Sequence, residues 1–349
     1  MSADFDTLRV AVVGCGSIGG RHARNLRTLG VAHVALCDLD ASRAARLAGE
    51  LDDALVSVDL EALLTRHRPH AVLVCTPPSS HLAVATRALE AGAHVFCEKP
   101  LAPALAGVDQ LLARVAARNR FLMLGMCYRF HGGLRRLRER VLRVDVGRVL
   151  GAQLWGGHWL PDWHPWADYR REYSARRALG GGVLLDSIHA FDTARWLFGE
   201  PVEVVGMLGR VSDLEIDTED VASAILRLPG GVLVEVHVDY LQRHAQSRIE
   251  VIGSEGTLEW DFHRQSIRCR RAGETAWVEE AVPVEVNAMY VAELREFLDG
   301  VTAGRRPSPD GAEGRMTLAL AAAVRESAES GRLIELGVPA TPQRARARA

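Results

Sequence analysis

Uniformly apolar segments alternate with amphipathic ones through the first third of the chain. Five apolar segments have the length of strands: 8–13, 31–37, 71–75, 94–97 and 121–126. Four intervening segments repeat their apolar residues at helical spacing: 18–29, 60–66, 81–91 and 103–118. Strands without polar alternation are covered on both faces, and short connections link each strand to a helix. The pattern therefore predicts an α/β fold with a doubly wound parallel sheet.

The pattern changes beyond residue 200. Five segments of strand character follow one another across short turns: 202–211, 221–228, 232–241, 248–252 and 257–262. In 232–241 valines alternate with mainly polar residues, which gives one apolar face and one largely polar face. With a strand at 151–160 and helices at 183–198, 291–301 and 316–331, this half predicts a second α/β domain. Its sheet is expected to be large, open and antiparallel or mixed.

Composition places the chain among soluble globular proteins of two domains. It has 349 residues, of which 48% are hydrophobic and 25% charged. The formal net charge of -2 attracts neither nucleic acid nor an anionic membrane, and no apolar run approaches the ~18 residues of a membrane span. Residues 1–9 lack the apolar core of a secretory signal.

Six cysteines without a CxxC pair indicate reduced core residues of a cytoplasmic protein.

The first predicted strand leads into a G-x-G-x-x-G turn that opens a helix. Glycines in such a Rossmann turn allow a tight bend, close approach of the backbone to a pyrophosphate, and close packing of helix on strand. The helix N-terminus adds free N–H groups and a positive dipole end. We therefore expect a dinucleotide to bind at Gly14, Gly16, Ser17, Ile18 and Gly19.

Asp38 ends the second predicted strand, about 20 residues beyond the turn. A carboxylate there can bind both ribose hydroxyls of NAD and would repel a 2′-phosphate, so Asp38 favours NAD. Arg43 is close enough in sequence to leave NADP as an alternative. A second interpretation makes Asp38 a helix cap before Asp40.

Two more strand ends carry polar groups. Thr76 and Pro77 close one strand, and Glu98-Lys99-Pro100 follows another. The carboxyl ends of parallel strands form the ligand crevice of a doubly wound sheet, so these residues are expected to face the cofactor. Charges directly after a buried strand are costly to place, and Lys99 is predicted to be the reactive group. Whether the bond before Pro100 is cis stays open.

A second cluster of polar residues follows Gly180-Gly181-Gly182. Asp186 and His189 share one stripe of the predicted helix 183–198, whose other side chains are largely apolar. A buried carboxylate and imidazole need partners. We expect His189 and Asp186 to be catalytic rather than ordinary core residues.

Segment 161–171 is rich in rings, carboxylates and cations, and it is too irregular for a helix or a strand. Such a segment could stack on a sugar and bind its hydroxyls; the alternative is a loop that seals the seam between domains. On the first interpretation, substrate contacts come from His158, Trp163, Tyr169 and Arg170. The histidines here lack partners at metal-binding spacing, so no metal is predicted.

With the glycine turn, Asp38, Thr76-Pro77, Glu98-Lys99-Pro100 and Tyr128-Arg129-Phe130 in order, the chain resembles the glucose–fructose oxidoreductase and inositol dehydrogenase (Gfo/Idh/MocA) family. The resemblance implies a nucleotide-binding domain at 1–126 and a substrate domain at 127–338. It also implies a homodimer or homotetramer formed through the C-terminal sheet, and terminal helices near 313–332 that pack back on the first domain. The basic tail 339–349 is expected to be disordered.

The resemblance also implies roles for single residues. Lys99 would lie beside the nicotinamide and the substrate, and Asp186 and His189 would match the aspartate and histidine that follow a glycine run in the family. Many members space these two residues four apart; here they are three apart, which still shares a helix face. The remaining implied contacts are His81, Glu98, Pro100 and Arg129 to the cofactor, and Tyr128 to the substrate.

These features predict an NAD-dependent dehydrogenase or reductase, with NADP as the alternative cofactor. Its substrate would be a secondary alcohol or ketone of a sugar, cyclitol or nucleotide sugar. His189 would move the hydroxyl proton, Asp186 would orient the imidazole, and Lys99 would stabilise the oxyanion or itself act as the base. Burial and the cationic nicotinamide are expected to lower the pKa of Lys99. The alternatives are a non-catalytic NAD-binding sensor and a reductase of an imine or unsaturated ring.

Overall fold

The computed structural model describes residues 5–51 and 54–337, and the tail predicted to be disordered lies outside them. Within these residues the strands form two sheets. The first contains β1 (Arg9–Val13), β2 (His33–Cys37), β3 (Leu55–Ser57), β4 (Ala71–Val74), β5 (His94–Glu98) and β6 (Leu122–Gly125). All its pairings are parallel, in the order β3-β2-β1-β4-β5-β6. The predicted doubly wound sheet is confirmed, and its order reverses between β1 and β4, where such sheets bind ligands.

The helices of the first half connect these strands. They are α1 (Ser17–Thr28), α2 (Ala41–Ala48), α3 (Leu60–His67), α4 (His81–Glu90) and α5 (Val108–Ala117). The last was predicted to begin at residue 103. It begins at Val108 because Gly107, with φ +85°, holds a left-handed conformation at its N-cap.

The second sheet is mixed, as predicted. Its strands are β7 (Val149–Gly157), β8 (Glu203–Gly209), β9 (Val221–Arg227), β10 (Leu233–Asp239), β11 (Gln246–Gly253), β12 (Gly256–Asp261), β13 (Ser266–Arg271), β14 (Val278–Ala281) and β15 (Ile334–Glu335). Strands β7 and β10 pair in parallel, whereas the other pairings are antiparallel. Val234, Val236 and Val238 are buried on the inner face.

Six helices accompany this sheet in the described residues: α6 (Gly132–Leu142), α7 (Leu160–Trp163), α8 (Val183–Asp186), α9 (Ile188–Phe198), α10 (Val286–Ala303) and α11 (Gly311–Ser330). The helix predicted at 183–198 is interrupted at Ser187, whose ψ of 24° breaks the helical path. Helix α6 was missed, although Leu134 and Leu137 already have helical spacing and are buried.

The last two helices pack against the first sheet. Phe297 on α10 lies 5.7 Å, between ring centroids, from Phe96 on β5. Asp310, the N-cap of α11, forms a β-bridge with Met123, and Val324 further along α11 packs against Gly206 of the second sheet. Helix α11 therefore contacts both sheets. The division of the chain at residue 126 remains a prediction.

All six cysteines are buried free thiols that form no disulfide, as predicted. Among the described residues, no helix combines the length and apolarity needed to cross a bilayer.

Candidate active site

The glycine turn has the shape that a pyrophosphate requires. Gly14 has φ +95°, and a Cβ there would lie 2.5 Å from the Cys75 carbonyl oxygen. A Cβ on Gly19 would meet the Gly14 carbonyl oxygen at 1.8 Å, so helix and turn are in direct backbone contact. A Cβ on Gly16 would meet nothing within 4 Å, and Gly16 caps α1 without a side-chain hydrogen bond. The open N-terminus of α1 therefore fits a phosphate group.

Asp38 joins the second strand to this turn. Its Oδ2 accepts a hydrogen bond of 2.7 Å from the Cys15 amide, and its Oδ1 accepts one of 2.8 Å from the Asp40 amide. The N-cap of α2 is Asp40, whose Oδ1 accepts from the Ser42 amide at 2.9 Å, so the alternative that Asp38 caps this helix is wrong. The carboxylate keeps lone pairs for ribose hydroxyls.

His81 lies behind the crevice. Its Nδ1 is 2.7 Å from the Pro100 carbonyl oxygen and its Nε2 is 2.8 Å from the Thr76 carbonyl oxygen. The side chain is 1% exposed. The expectation of a cofactor contact is therefore corrected: His81 ties the loop at Thr76–Pro77 to the segment after Lys99. The Lys99–Pro100 bond is cis.

The Lys99 ammonium donates hydrogen bonds to two residues of the second half, Asp186 and Tyr173. Its Nζ lies 2.9 Å from Asp186 Oδ1, 2.6 Å from the Asp186 carbonyl oxygen and 3.4 Å from the Tyr173 hydroxyl. Burial acts to lower the pKa of Lys99, but the Asp186 carboxylate outweighs it and the pKa lies above its usual range. The prediction of a lowered pKa is wrong because it counted burial without the counter-charge. Lys99 is a cation at neutral pH.

Three hydroxyl groups surround the other side of the Asp186 carboxylate. Tyr173 donates to Oδ1, and Oδ2 accepts from Ser174 Oγ at 2.8 Å and from the Tyr240 hydroxyl at 3.0 Å. Burial acts to raise the pKa of Asp186, but Lys99 and these donors hold it below its usual range. The expectation that Asp186 orients the imidazole of His189 is therefore corrected, since its oxygens are occupied by Lys99 and the hydroxyls.

Tyr173 and Ser174 were missed in the sequence. The glycine run that follows them could have indicated a close backbone contact here, because a Cβ on Gly181 would lie 2.0 Å from the Tyr173 carbonyl oxygen. The glycines therefore allow the backbone of Tyr173 and Ser174 to pass close to the start of α8. Tyr240, at the end of β10, carried no motif.

His189 lies beside this cluster in a different environment. Its ring stacks on Tyr128 at 4.9 Å between centroids, and its Nε2 is 3.9 Å from Cys127 Sγ. The buried Nδ1 has no hydrogen-bond partner among the described residues. Burial and the Lys99 charge lower the pKa of His189 to about 4, so the imidazole is neutral at pH 7. A neutral imidazole can accept a proton.

Glu98 and Arg129 are engaged within the protein. Glu98 Oε1 is 2.7 Å from His22 Nε2, and its Oε2 accepts from the Lys99 amide at 3.1 Å. Arg129 donates to both Asp192 oxygens at 2.8 Å and to Glu313 at 2.5 Å. The prediction that Arg129 contacts the cofactor is corrected, because its guanidinium links α9 to α11.

The residues expected to contact substrate lie in two places. His158 and Trp163 lie near Tyr240, whereas Tyr169 and Arg170 contact the loop at residue 215. The His158 ring contacts the Trp163 ring in a tilted arrangement, 4.0 Å between centroids, and lies 5.5 Å from the ring of Tyr240, which bonds to Asp186. Burial lowers the pKa of His158 to about 4. Arg170 instead bonds to Asp168 at 2.8 Å and to Glu215 at 3.1 Å.

Tyr169 contacts the same loop as Arg170. Its hydroxyl accepts from the Glu215 amide at 3.3 Å. Both side chains anchor the segment to the loop at residue 215, and their contact with substrate stays a prediction. Tyr128 contacts His189, whereas His158, with Trp163 against it, lies beside the Tyr240 ring whose hydroxyl bonds to Asp186.

A cavity of about 520 Å³ opens beside the glycine turn. One side is formed by residues of the turn, α1, α2 and the following Glu50; the other is formed by residues of segment 161–171 and Glu172. The lining residues are Cys15, Gly16, Ser17, Gly20, Arg24, Arg43, Arg46, Leu47, Glu50, His164, Trp166, Ala167 and Glu172. The middle of the aromatic segment therefore faces the nucleotide turn.

Comparison with known proteins matches both halves. Residues 8–126 match a family model described as an oxidoreductase family with an NAD-binding Rossmann fold, and residues 134–259 match the GFO/IDH/MocA C-terminal domain. Myo-inositol 2-dehydrogenase of Thermotoga maritima is 31% identical, covering 94% of this chain and 98% of that protein. UDP-N-acetylglucosamine 3-dehydrogenase of Acidithiobacillus ferrooxidans is 30% identical, covering 93% and 98%. The crystal structure of GenD2 from gentamicin A biosynthesis in complex with NAD has a TM-score of 0.83 at 25% identity, covering 97% and 98%.

Proposed function

The chain belongs to the Gfo/Idh/MocA oxidoreductase family, and from that premise we propose that it transfers a hydride between NAD and a secondary alcohol or ketone of a sugar, cyclitol or nucleotide sugar. The chain is an NAD-dependent oxidoreductase acting on CH–OH groups. The observation that carries the proposal is the buried Lys99–Asp186 pair beside a neutral His189 at the carboxyl edge of the first sheet. Relatives named for inositol and UDP-N-acetylglucosamine support the substrate class.

The residues that would hold NAD are those of the open turn, with Asp38 for the ribose and the Thr76–Pro77 loop along the crevice. NAD, when bound, supplies the acceptor or donor of the hydride. The chain itself then needs to stabilise charge on the substrate oxygen and to move one proton.

Lys99 would stabilise that oxygen. Its positive charge is fixed by Asp186, at 2.9 Å from Oδ1, and by the low exposure of both side chains, 16% and 9%. A preorganised cation in a site of low dielectric stabilises a developing oxyanion more strongly than a mobile one in water. Its raised pKa makes Lys99 a poor base.

His189 would be the base in alcohol oxidation. Its pKa of about 4 leaves the ring neutral at pH 7, and the unpartnered Nδ1 can accept a proton. The stacked Tyr128 ring keeps the imidazole in place, a role first assigned to Asp186. In the reverse direction the same ring, once protonated, would return the proton to the alkoxide.

The substrate would lie against aromatic side chains. Trp163 is 54% exposed and packs against the ring of His158, whose buried Nε2 has no hydrogen-bond partner among the described residues. Flat rings pack on the C–H faces of sugars, and imidazole nitrogens bind their hydroxyls. This combination favours a polyhydroxylated substrate.

We also propose a homo-oligomer formed through the outer face of the second sheet. That face exposes Val205, Met207, Ile225 and Leu233, and the register of β8, β9 and β10 places them on neighbouring strands. A contiguous apolar surface of this kind is typical of a protein interface. Met207→Glu should shift the molecular mass measured by light scattering toward that of one chain.

The proposed activity is tested by incubating the protein and NAD with a panel of sugars, inositols and nucleotide sugars and following NADH absorbance. Turnover of at least one member, lost in His189→Ala, is expected. NAD binding without turnover of any member would favour the sensor alternative. A parallel assay supplies NADH with imines and unsaturated rings; loss of NADH absorbance there, without turnover of the sugar panel, would identify the other alternative.

A further inference from the structure

We propose that residues 164–172, here called the wall segment, form the outer wall of the cofactor site and that Trp166 and His164 contact the bound dinucleotide. The segment belongs to the connection between β7 and α8, in the half of the chain expected to bind substrate. Neither interpretation from the sequence, a sugar platform or a seam closure, assigned it to the cofactor.

The shape of the cavity carries the inference. Gly16 and Ser17 at the N-terminus of α1 form one side, and His164, Trp166 and Glu172 form the other. A phosphate held by the free N–H groups of α1 would occupy the space between the two sides. The remainder of a dinucleotide that fills the cavity then also touches the wall segment.

The charges that line the cavity suit a diphosphate. Arg24, Arg43 and Arg46 line the cavity together with the wall segment. Arg24 is paired with Glu50 at 2.6 Å, and Arg43 lies 3.5 Å from Asp40. Even with the carboxylates of Glu50 and Glu172 counted, the lining has one net positive charge from three arginines and two glutamates.

The wall segment is anchored on one side and open on the other. Arg170 and Tyr169 attach it to Glu215, and Arg176 Nε donates to the Arg170 carbonyl oxygen at 2.6 Å. Trp166, by contrast, is 75% exposed. An exposed indole at the edge of a polar cavity gains most from a flat ring system laid against it, and a dinucleotide carries two.

The wall segment also adjoins the catalytic cluster. Glu172 lines the cavity, and the next residue, Tyr173, donates to Asp186 and lies 3.4 Å from Lys99 Nζ. A ligand that contacts Glu172 of the wall segment is therefore bound next to Tyr173, which bonds to both Lys99 and Asp186.

The test compares NADH affinity in two tryptophan variants, one in the wall segment and one outside the binding site, read as energy transfer from protein tryptophan to bound NADH. Trp166→Ala should raise the Kd for NADH about tenfold, since covering an exposed indole is worth roughly one tenfold step in affinity. Trp277→Ala is the control: its partly exposed ring lies over Arg268 and Arg270 and does not line the cavity. Its Kd should stay within about twofold of the unmodified protein.

A second measurement does not depend on either substitution. The side chain of Arg171 in the wall segment is 87% exposed, so trypsin should cut there in the free protein. Saturating NADH should slow this cleavage, with the cleavage of denatured protein as the control for trypsin itself. Equal Kd values for the two variants, or unchanged cleavage with NADH bound, would overturn the inference while leaving the cofactor assignment intact. Failure of the unmodified protein to bind NADH would overturn both.

Discussion

Replacing Asp186 with asparagine removes the negative charge that faces Lys99 while nearly preserving the size of the side chain. At the 2.9 Å separation of Lys99 Nζ and Asp186 Oδ1, an effective dielectric constant of about 20 gives about 6 kcal/mol of attraction. Desolvation of both groups offsets part of this attraction. Removal of one partner of a buried pair typically costs about 3–5 kcal/mol, and we expect the free energy of unfolding to fall by that amount.

The effect should depend on pH in one direction. The pKa of Asp186 is lowered, so its contribution is present above the unfolded value of about 3.9 and is lost as the pH falls toward the folded value. The pKa of Lys99 is raised, so its contribution is present below about 10.4 and is lost only as the pH rises beyond that. The difference between the unmodified protein and Asp186→Asn should therefore be constant from about pH 5 to pH 9 and shrink below about pH 4.

Urea unfolding followed by tryptophan fluorescence at several pH values measures this difference. Asp162→Asn, an exposed carboxylate near the same region, is the control and should change stability by less than about 0.5 kcal/mol. A difference for Asp186→Asn of less than about 1 kcal/mol at pH 7, the range of exposed pairs, would show that the pair is not a buried one. A difference that persists unchanged at pH 3 would refute the assignment of a lowered pKa to Asp186.

Three further predictions concern the cofactor site and the base. Asp38→Ala should raise the Kd for NAD by roughly 10- to 150-fold, or about 1.5–3 kcal/mol, in a fluorescence titration; unchanged affinity would remove Asp38 from the site. Arg129→Met should lower the free energy of unfolding by about 3–5 kcal/mol and leave NAD affinity unchanged, whereas the opposite pattern would restore Arg129 to the cofactor site. The acid limb of kcat/KM for alcohol oxidation should lie near the His189 pKa of about 4, because the base must be unprotonated. A limb above about pH 10 would instead identify Lys99 as the base.

The elements that sequence alone predicted are those with local signals. The glycine turn and Lys99 could be placed because each follows a short apolar strand, and the parallel sheet brings strand ends to one edge. The second sheet followed from alternation in 232–241. The short strand β3 was missed because three residues, Leu55–Ser57, are too few for a pattern.

The chemistry of the site depended on partners that are distant in sequence. Lys99 meets Asp186 across 87 residues, and Arg129 meets Glu313 across 184. No periodicity or spacing encodes such a contact. The pKa shift of Lys99 was therefore predicted in the wrong direction. Burial was inferred correctly from the strand, but the contact with the Asp186 carboxylate was unknown. Asp186 and His189 were found by motif, yet which group each one contacts came only from the fold.

The role of Lys99 is tested most directly by the rate of hydride transfer in Lys99→Met, measured with NAD saturating and with a substrate found in the panel. Methionine keeps most of the aliphatic stem and removes the charge. We predict a Kd for NAD close to that of the unmodified protein and a rate at least about 100-fold lower, the loss typical of a preorganised group that stabilises an oxyanion. A rate within about threefold of the unmodified protein, with NAD bound, would contradict the assignment of Lys99 to the reacting oxygen.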